Sequence, residues 1–337
     1  MSGCRSVPQQ IGAQTVQLAY APMASIEDFQ PVQPIRRPRQ HLGSGCFRLL
    51  LRAAVGFFGG AAVVIAALFV LNALFPPPRL NILLLGLDQR PGETSAARAD
   101  TMILATIDPD GPYAGILSIP RDLWVTLPDG SPNRINTAHF YAEAASPGTG
   151  PEAALKTVTS NFGLTLDRYL RIDFEGFVTI IDSVGGITVN VESPIVDYEY
   201  PDAQYGYEVL TFEAGEQHMD GERALQYART RHGSSDFGRA KRQQAILAAL
   251  GRRLLQPDAW PRLPLLYLAI QSSVDTNLTP LEIIRVLPTL IAVGPDGIDW
   301  RVIEGAMVQP YTTTGGASVQ MPVWEQINPA LLEMFGE

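Results

Sequence analysis

Short apolar runs alternate with helical patterns along most of the chain. Apolar runs at 81–87, 102–107 and 114–119 have the length and composition of buried strands. Residues 174–184 instead repeat their apolar side chains every three or four positions, as one face of a helix does, and 187–191 returns to a strand pattern. This alternation predicts an α/β fold, a three-layer α-β-α domain in which a central mixed β-sheet lies between helices.

The region 257–337 has a mainly helical pattern. Helices are predicted at 258–273, 279–292 and 325–335, with one strand near 299–304. Thr279 and Pro280 suit the cap and the first turn of the second of these helices. We expect the region to be a helical completion of the domain whose main part is 81–256. Residues 193–216 are rich in Tyr, Pro and Glu and predict either a hairpin or an irregular excursion.

One stretch, Ala53–Phe75, contains 23 residues and no charge. As a helix it would span roughly 34 Å at about 1.5 Å per residue, enough to cross the hydrocarbon core of a bilayer. A buried core helix rarely runs this long without a polar face, and the long polar segment before it argues against a cleaved signal peptide. Five arginines lie within 20 residues before it: Arg36, Arg37, Arg39, Arg48 and Arg52. The positive-inside rule therefore predicts a single-pass protein of the cell membrane, with a cytoplasmic N-terminus and an extracytoplasmic C-terminal domain.

The segments on either side of this signal-anchor helix predict a tail and a linker. Residues 1–45 lack apolar periodicity and are rich in Pro, Gln and Ser, which predicts a disordered cytoplasmic tail over 1–52. Residues 76–80 begin with three prolines, which end the helix and form a short stiff linker. Both cysteines, Cys4 and Cys46, fall in the tail, so the exported part has no cysteine for a disulfide or a metal.

Basic residues are concentrated in one part of an acidic chain. The formal net charge is −9 and the pI about 5.0, which argues against a general nucleic-acid binder. The stretch Arg229–Gln244 nevertheless contains Arg229, Arg231, Arg239, Lys241 and Arg242. Arginine presents a planar fork of donors that suits phosphate oxygens, so the stretch is a candidate anion site. The alternative is an amphipathic helix, capped at Asp236 and running to about Leu255, with a basic solvent side.

Two carboxylates lie beside the ends of the first two predicted strands. Asp88 directly follows the first strand, and Asp100 precedes the second. Arg98 and Arg121 stand close to strand ends as well. Because magnesium is usually held by a few carboxylates together with substrate phosphates, these residues predict a pocket for a metal and an anion. A surface Asp–Arg pair in a loop is the alternative.

Several segments, taken in order, resemble the LytR–CpsA–Psr (LCP) family of bacterial envelope proteins. The matching segments are Asp88, Arg98–Leu104, Ser118–Asp122, Arg134–Ala138, Phe174–Phe177, Gly185–Val189, Leu225–Arg231 and Asp236–Gln244. They follow one another in the right order behind a single signal-anchor helix. Together they extend over about residues 80–255, and the LCP catalytic domain would be 81–256.

The resemblance implies a membrane-anchored, magnesium-dependent phosphotransferase. Such an enzyme moves a glycopolymer from an undecaprenyl-diphosphate carrier onto peptidoglycan and forms a phosphodiester at a muramic-acid hydroxyl. The polyprenyl chain would enter an apolar tunnel between the sheet and its covering helices. The implied partners are the polyprenyl-diphosphate-linked glycopolymer, peptidoglycan and the membrane, and no nucleic acid.

The resemblance also assigns roles to residues of this chain. Asp88 and Asp100 would hold magnesium at the diphosphate, and Asp88 could accept the proton of the attacking hydroxyl. The diphosphate would be bound by Arg98, Arg121, Arg229, Arg231, Arg239 and Gln243. The catalytic set would be Asp88, Arg98, Asp100 and Arg121. Phosphoryl transfer depends mostly on positioning and on stabilising charge, so such a site needs no covalent nucleophile.

Three other functions fit the same residues. A polyprenyl-diphosphate hydrolase would use water in place of the acceptor hydroxyl. A non-catalytic lipid-diphosphate binder or envelope regulator would keep the site without turnover, and an extracellular interaction domain would not need Asp100 and Arg121. The sequence leaves open which glycopolymer is moved, which hydroxyl accepts it and which aspartate contacts the metal directly.

Overall fold

The computed structural model describes residues 60, 63, 66–89, 96–201, 206–230 and 236–336. The predicted tail, 1–52, and most of the predicted membrane segment, 53–75, lie outside these residues. Within that segment, residues 66–74 are helical. In the part of the chain that is described, no helix combines the length and the hydropathy needed to cross a membrane.

The elements after the linker follow the alternation that the apolar pattern predicts. The strands are β1 Leu80–Leu87, β2 Ala99–Asp108, β3 Tyr113–Ile119, β4 Trp124–Thr126, β5 Pro132–Arg134, β6 Arg168–Ile172, β7 Ile187–Val191, β8 Ile195–Pro201, β9 Tyr207–Phe212, β10 Gly215–Met219, β11 Val274–Thr276, β12 Asp299–Val302, β13 Val308–Thr312 and β14 Ser318–Pro322. The α-helices are α1 Thr137–Ala145, α2 Gly150–Phe162, α3 Phe174–Ser183, α4 Gly221–Arg229, α5 Asp236–Leu255, α6 Leu263–Ser273, α7 Pro280–Gly297 and α8 Trp324–Phe335. Short 3-10 helices lie at Pro257–Arg262 and Gly305–Met307.

A six-stranded sheet lies at the centre, in the order β11-β6-β1-β2-β3-β12. Antiparallel pairing joins β1 to β2, β2 to β3 and β6 to β11. Parallel pairing joins β6 to β1 and β12 to β3. The sheet is therefore mixed, as predicted, and the strands at both of its edges come from the region 257–337.

One face of the sheet carries the larger part of the hydrophobic core. Leu83 and Leu85 of β1 belong to a buried cluster that includes Ala138 of α1, Val158 of α2 and Leu331 of α8. Alternate residues of a strand point to the same face, which explains why every second apolar residue of the predicted strands enters this cluster. The helices α1, α2 and α8 therefore form the layer on this side.

The opposite face is covered by other helices. Ile82 and Ile107 are buried against Val286 of α7. The side chain of Gln244 in α5 donates to Ser118 Oγ on the same face at 2.9 Å. A separate buried cluster joins α3, α4 and α5 to the strand pairs β7–β10 and β8–β9. Helices thus lie on both sides of a mixed sheet.

The largest departures from the predicted elements lie in the last third of the chain. The helix predicted at 258–273 begins with a 3-10 segment and becomes α-helical at Leu263. Helix α7 continues to Gly297 through a kink at Gly294, where φ is 63°. The pattern does not predict the β13–β14 hairpin, because four of the five residues of β13 are exposed and do not alternate with buried ones. Of the two structures predicted for 193–216, the hairpin is present as β8–β9.

Gly221, the first residue of α4, occupies a space that admits no side chain. A Cβ here would collide with the carbonyl oxygen of Val178 in α3, and the Gly221 amide donates to Asp182 Oδ1 at 2.7 Å. We expect Gly221→Ala to lower the free energy of unfolding by about 1–3 kcal/mol, because no rotamer relieves a clash with backbone. Denaturant titration measures the loss. At Gly111, where the nearest atom is a side-chain oxygen at 3.9 Å, alanine is the control, and an equal loss there would contradict this explanation.

His139 is a buried residue of α1 that contacts the segment directly before β2. Its Nδ1 lies 3.1 Å from the Ala97 carbonyl oxygen, and its Nε2 lies 3.3 Å from Arg171 Nη1. A neutral imidazole that donates from Nδ1 and accepts at Nε2 satisfies both contacts. Burial lowers the pKa of His139, and the nearby Arg171 guanidinium acts in the same direction.

The lowered pKa of His139 predicts a loss of stability in mild acid. In the unfolded chain this histidine takes up a proton near pH 6.5, whereas burial opposes protonation in the folded chain. The contribution of neutral His139 to the free energy of unfolding is therefore complete above about pH 6.5 and is lost as the pH falls. We expect the stability difference between the native chain and His139→Asn to shrink from about pH 7.5 to about pH 5, measured by denaturation at each pH. His218→Asn, at an exposed histidine of β10, is the control. A difference for His139 that does not change with pH would disprove the prediction.

Candidate active site

Asp100 lies in a β-bulge at one end of the central sheet. In the β1–β2 ladder Gly86 pairs with Thr101, but Leu87 pairs with Ala99, so Asp100 is an extra residue in β2. An extra residue bends the strand and redirects its side chain, which is common beside active sites. Gly86 permits the close approach of the two strands, since a Cβ there would lie 2.9 Å from Cβ of Thr101. The apolar pattern predicts the strand but gives no sign of the bulge.

The Asp100 carboxylate is held by donors from two other segments. Arg121, which follows β3, donates from Nη1 to Oδ2, and Asn136, directly before α1, donates from Nδ2 to Oδ1 at 3.2 Å. The side chains of Asp100 and Arg121 remain 20% and 23% exposed, so the pair can be reached by a ligand. The orientation of Asp100 is thus fixed by the fold itself.

The first turns of α5 bring further predicted residues to this pair. Asp236 Oδ1 lies 3.0 Å from Arg239 Nη2 and 3.8 Å from Arg121 Nη2, so one carboxylate joins the two guanidinium groups. One turn further along α5, Gln243 donates from Nε2 to Thr101 Oγ1 at 2.9 Å. Helix α5 is therefore tied directly to the end of β2 that carries the bulge.

These residues line one small cleft between α5 and the ends of β2 and β3. Its polar side chains include Asp100, Arg121, Asp236, Arg239 and Gln243. The cleft encloses about 20 Å³, which is room for a water molecule or a metal ion and too little for a diphosphate. A diphosphate must therefore lie over the mouth of the cleft or separate the ion pairs that close it. The N-terminal end of α5 adds partial positive charge on this side.

Asp88 and Arg229 form a second, more open pair. The Asp88 amide donates to the Arg98 carbonyl oxygen at 3.1 Å, and its side chain is 39% exposed. Arg229, the last residue of α4, places Nη2 3.7 Å from Asp88 Oδ1. Its guanidinium also lies over the Phe174 ring at 4.3 Å and donates to Tyr200 Oη at 3.3 Å. The two rings hold Arg229 in one orientation.

Most of the predicted site residues lie in the part of the chain that the structure describes. Four of them surround the cleft: Asp100, Arg121, Arg239 and Gln243. Arg98 is exposed directly before β2, and its guanidinium carbon lies 5.4 Å from the ring centroid of Phe140. Arg231 lies outside the described residues, so its contact with a diphosphate stays a prediction.

Arg242 has a structural role that helical spacing does not reveal. Spacing assigns it to the predicted basic face of α5, but its side chain turns inward and the residue is 8% exposed. Its Nε donates to the Tyr227 carbonyl oxygen at 3.1 Å, and its Nη2 donates to that of Thr230. Thr230 in turn donates to the buried Asp197 at 2.6 Å. Burial lowers the pKa of Arg242. These bonds tie α5 to the end of α4 and so position the arginine that ends α4.

Other polar residues of the site carry no functional prediction from the sequence. Asn136 and Asp236 occupy helix starts, where such residues usually serve as caps, and only the fold brings them to Asp100 and Arg121. Burial raises the pKa of a further carboxyl, Asp122, and the negative charge of Asp236 adds to this shift. The feature of the sequence that could have identified Asn136, Asp236 and Asp122 as site residues is their position beside the end of a strand or helix.

The carboxylates suit a metal ion only together with a phosphorylated ligand. Among the residues that the structure describes, no three Asp, Glu, His or Cys side chains are grouped as a metal cage. Asp88 and Asp100 lie at the same end of two adjacent antiparallel strands and offer two carboxylates. Magnesium usually takes one or two carboxylates with waters and phosphate oxygens, so this donor set fits a cation that the substrate helps to hold.

Known proteins resemble the chain over most of its length. The LytR_cpsA_psr family matches residues 77–329. The polyisoprenyl-teichoic acid–peptidoglycan teichoic acid transferase TagU of Oceanobacillus iheyensis is 33% identical over 228 residues, 67% of each chain. TagV of Bacillus subtilis, which has the same description, is 34% identical over 207 residues, covering 60% of this chain and 50% of that relative. Biofilm regulatory protein A of Streptococcus mutans is 29% identical over 206 residues, again spanning 50% of the relative.

Solved structures share the fold. The crystal structure of B. subtilis TagV superimposes with a TM-score of 0.61 at 27% identity, covering 77% of this chain and 98% of that one. TagT bound to LI-WTA gives a TM-score of 0.61 at 25% identity, covering 77% of this chain and 92% of that one. With the family match extending over much more than half of its length, the chain belongs to the LytR–CpsA–Psr family.

Proposed function

We propose that the protein is a phosphotransferase that moves a glycopolymer from a polyprenyl-diphosphate carrier to peptidoglycan and forms a phosphodiester. Two relatives, TagU and TagV, are named polyisoprenyl-teichoic acid–peptidoglycan teichoic acid transferases. The chain aligns with only 67% and 50% of their lengths, so the proposal needs support from the site itself. That support is the cleft at the end of the sheet, where Asp100, Arg121 and Arg239 meet.

The arginines of the cleft supply what a diphosphate requires. Arg121 and Arg239 are joined through Asp236 and therefore keep fixed orientations. Guanidinium groups bind phosphate oxygens through paired N–H donors, and such charge-assisted bonds are about twice as strong as neutral ones. A diphosphate that takes over these donors replaces one anion by another, and it frees the Asp100 carboxylate for a cation. No buried charge then remains unpaired.

The proposed reaction transfers a phosphoryl group between two oxygens. The oxygen of the acceptor hydroxyl attacks the phosphorus that carries the glycopolymer. The bond from this phosphorus to the bridging oxygen breaks, and polyprenyl monophosphate leaves with the bonding electrons. Arg121, Arg229 and Arg239 stabilise the charge that develops on the phosphate oxygens. The hydroxyl proton passes to a carboxylate, for which we propose Asp88 because its side chain is 39% exposed.

The polyprenyl chain of the donor needs an apolar surface beside the cleft. The sheet face under α7 carries four apolar side chains that are only partly buried, Leu80, Leu84, Ile116 and Leu170, and Leu278 before α7 and Leu290 within it pack against the same cluster. Covering the remainder of this surface with an isoprenoid chain removes apolar area from water, which is favourable. Since β1 to β3 supply both this face and the site residues at their ends, we propose that the chain lies along it.

We propose that Asp88 and Asp100 hold magnesium jointly with the diphosphate. When bound, the cation supplies positive charge to the phosphate oxygens. Asn136 and Arg121 set the direction of the Asp100 carboxylate, while Asp88 is the more accessible of the two predicted ligands.

We propose further that the stretch 53–75 anchors the chain in the cell membrane with the domain outside the cytoplasm. A polyprenyl-linked donor stays in the bilayer, so an anchored enzyme encounters it at a high effective concentration. The arginines between 36 and 52 favour a cytoplasmic N-terminus.

Transfer is tested with the purified full-length chain, a short polyprenyl-diphosphate sugar, a peptidoglycan-chain acceptor and magnesium, with products followed by mass spectrometry. We expect a phosphodiester-linked sugar on the acceptor. Arg239→Ala should lower kcat/KM by about 100-fold or more, because it removes a nearly buried guanidinium from the phosphate site. Arg252→Ala removes an exposed arginine from the same helix and should leave the rate unchanged.

Each other product pattern assigns a different function. Sugar phosphate released beside an unmodified acceptor would indicate a hydrolase. Tight retention of the lipid without turnover would indicate a binding or regulatory protein. Equal activity of Arg239→Ala and Arg252→Ala would contradict a role of the cleft in the reaction. Circular dichroism of both variants shows whether a loss of activity results from a loss of folding.

Magnesium dependence tests Asp88 as a metal ligand separately from the arginines. We expect Asp88→Asn to raise the magnesium concentration needed for half the maximal rate by about tenfold or more, because a neutral amide is a poorer ligand than a carboxylate. Activity of chelator-treated protein is measured during magnesium titration. Asp110→Asn, at an exposed turn, is the control. Full activity without the metal, or an unchanged midpoint in Asp88→Asn, would refute this assignment.

A further inference from the structure

Helix α6 is apolar on every side although most of it faces solvent. Its sequence, Leu263–Ser273, contains no charged residue. Leu266 and Ala269 are buried against the domain. The large side chains on the other sides are more than one-third exposed: Leu263, Leu265, Tyr267, Leu268 and Ile270. A helix that is apolar all round is typical of a protein core or of contact with lipid.

Helix α7 carries charged residues, but it also presents large apolar side chains to solvent. Val286 is buried against the sheet, while side chains at helical spacing on the outer side remain exposed. These are Leu281, Ile284, Leu287 and Ile291, with exposed fractions of 63%, 42%, 41% and 48%. The exposed Arg285 stands among them, and its long stem can lie on lipid while the guanidinium reaches the head groups. Helix α7 thus buries one apolar side and presents another.

Exposed apolar surface of this kind marks a contact site. Monomeric soluble proteins rarely expose large apolar patches unless the patch binds a partner or a membrane. Trp260, in the 3-10 helix that precedes α6, is 54% exposed, and Tyr267 within α6 is 56% exposed. Such rings are enriched where an apolar medium meets water, because one end of each is apolar and the other polar.

The neighbouring chain segment indicates which medium these helices meet. The helical residues 66–74 belong to the uncharged stretch 53–75. Near the end of this helix, Asn72 Nδ2 lies 3.4 Å from the Arg285 carbonyl oxygen and 3.4 Å from Thr289 Oγ1, both in α7. The described end of the segment proposed to enter the bilayer therefore contacts α7 through Asn72. An outward apolar helix beside that point can reach the same bilayer.

We propose that α6 and the outer side of α7 dock the domain on the membrane surface. The outward leucine and isoleucine side chains enter the outer part of the acyl region, and Trp260, Tyr267 and Arg285 lie at the level of the head groups. The inference rests on the membrane anchoring proposed above and adds a defined orientation of the domain. Because α7 also covers the apolar face of the sheet, docking lets a polyprenyl chain pass from lipid to the site without crossing water.

Site-directed fluorescence of the full-length chain in phosphatidylcholine vesicles tests the docking. In a Cys4→Ser and Cys46→Ser background, single cysteines are introduced as Leu268→Cys in α6, Leu74→Cys near the end of the proposed bilayer segment 53–75 and Lys156→Cys in α2. Lys156 is the control, because its side chain is 65% exposed and α2 covers the other face of the sheet. Each variant carries an environment-sensitive dye, and a nitroxide-labelled phosphatidylcholine in the vesicles is the quencher.

We expect several-fold quenching and a blue shift at 268 and at 74, and neither change at 156. Quenching at 74 without quenching at 268 would overturn the docking while keeping the anchor. Absence of quenching at both positions would overturn the docking together with the anchor. Energy transfer between labelled copies at 268, or quenching there only after a polyprenyl diphosphate is added, would assign the surface to a second copy or to the donor and overturn the proposal. The measurement needs no turnover, so it is independent of the transferase assay.

Discussion

The carboxylate of Asp100 is the point at which distant parts of the chain are held together. It binds Arg121 after β3 and Asn136 before α1, and through Arg121 it is linked to Asp236 at the start of α5. A partly buried charge is stable only when it is paired and hydrogen-bonded, so the network constrains each segment that contributes to it. The same constraint keeps the guanidinium groups oriented before a ligand arrives.

The crowded arginines divide into two uses that depend on the partners of each guanidinium, since Arg239 and Arg242 are about equally buried, at 7% and 8% exposed. Arg242 points inward and donates to backbone carbonyl oxygens at the end of α4. Arg239, one turn earlier, pairs with Asp236 and lines the cleft. Arg229 is held between the Phe174 and Tyr200 rings. Charge alone does not distinguish these two uses, because Arg242 stabilises the packing of α4 and α5 that positions Arg229 and Arg239.

The apolar pattern predicts β1, β2, β3 and β12 of the central sheet, the alternation with helices and the mixed α/β class, because strands that are buried on both faces leave short apolar runs in the sequence. Position beside strand ends also identifies Asp88, Asp100 and Arg121 as candidates. The bulge at Asp100 depends on the pairing register with β1, and a single strand does not encode that register. Asn136 and the inward turn of Arg242 follow from tertiary contacts, which leave no local pattern. The membrane segment and Arg231 remain predictions, since they lie largely or wholly outside the described residues.

The central claim is that the cleft between α5 and the sheet receives the diphosphate of a polyprenyl donor. A crystal structure of the chain with a non-transferable polyprenyl-diphosphate analogue and magnesium tests it most directly. The account predicts diphosphate oxygens within hydrogen-bonding distance of Arg121 and Arg239, with the Asp100–Arg121 pair opened and the isoprenoid chain under α7. A diphosphate bound elsewhere, with the ion pairs of the cleft intact, would contradict it.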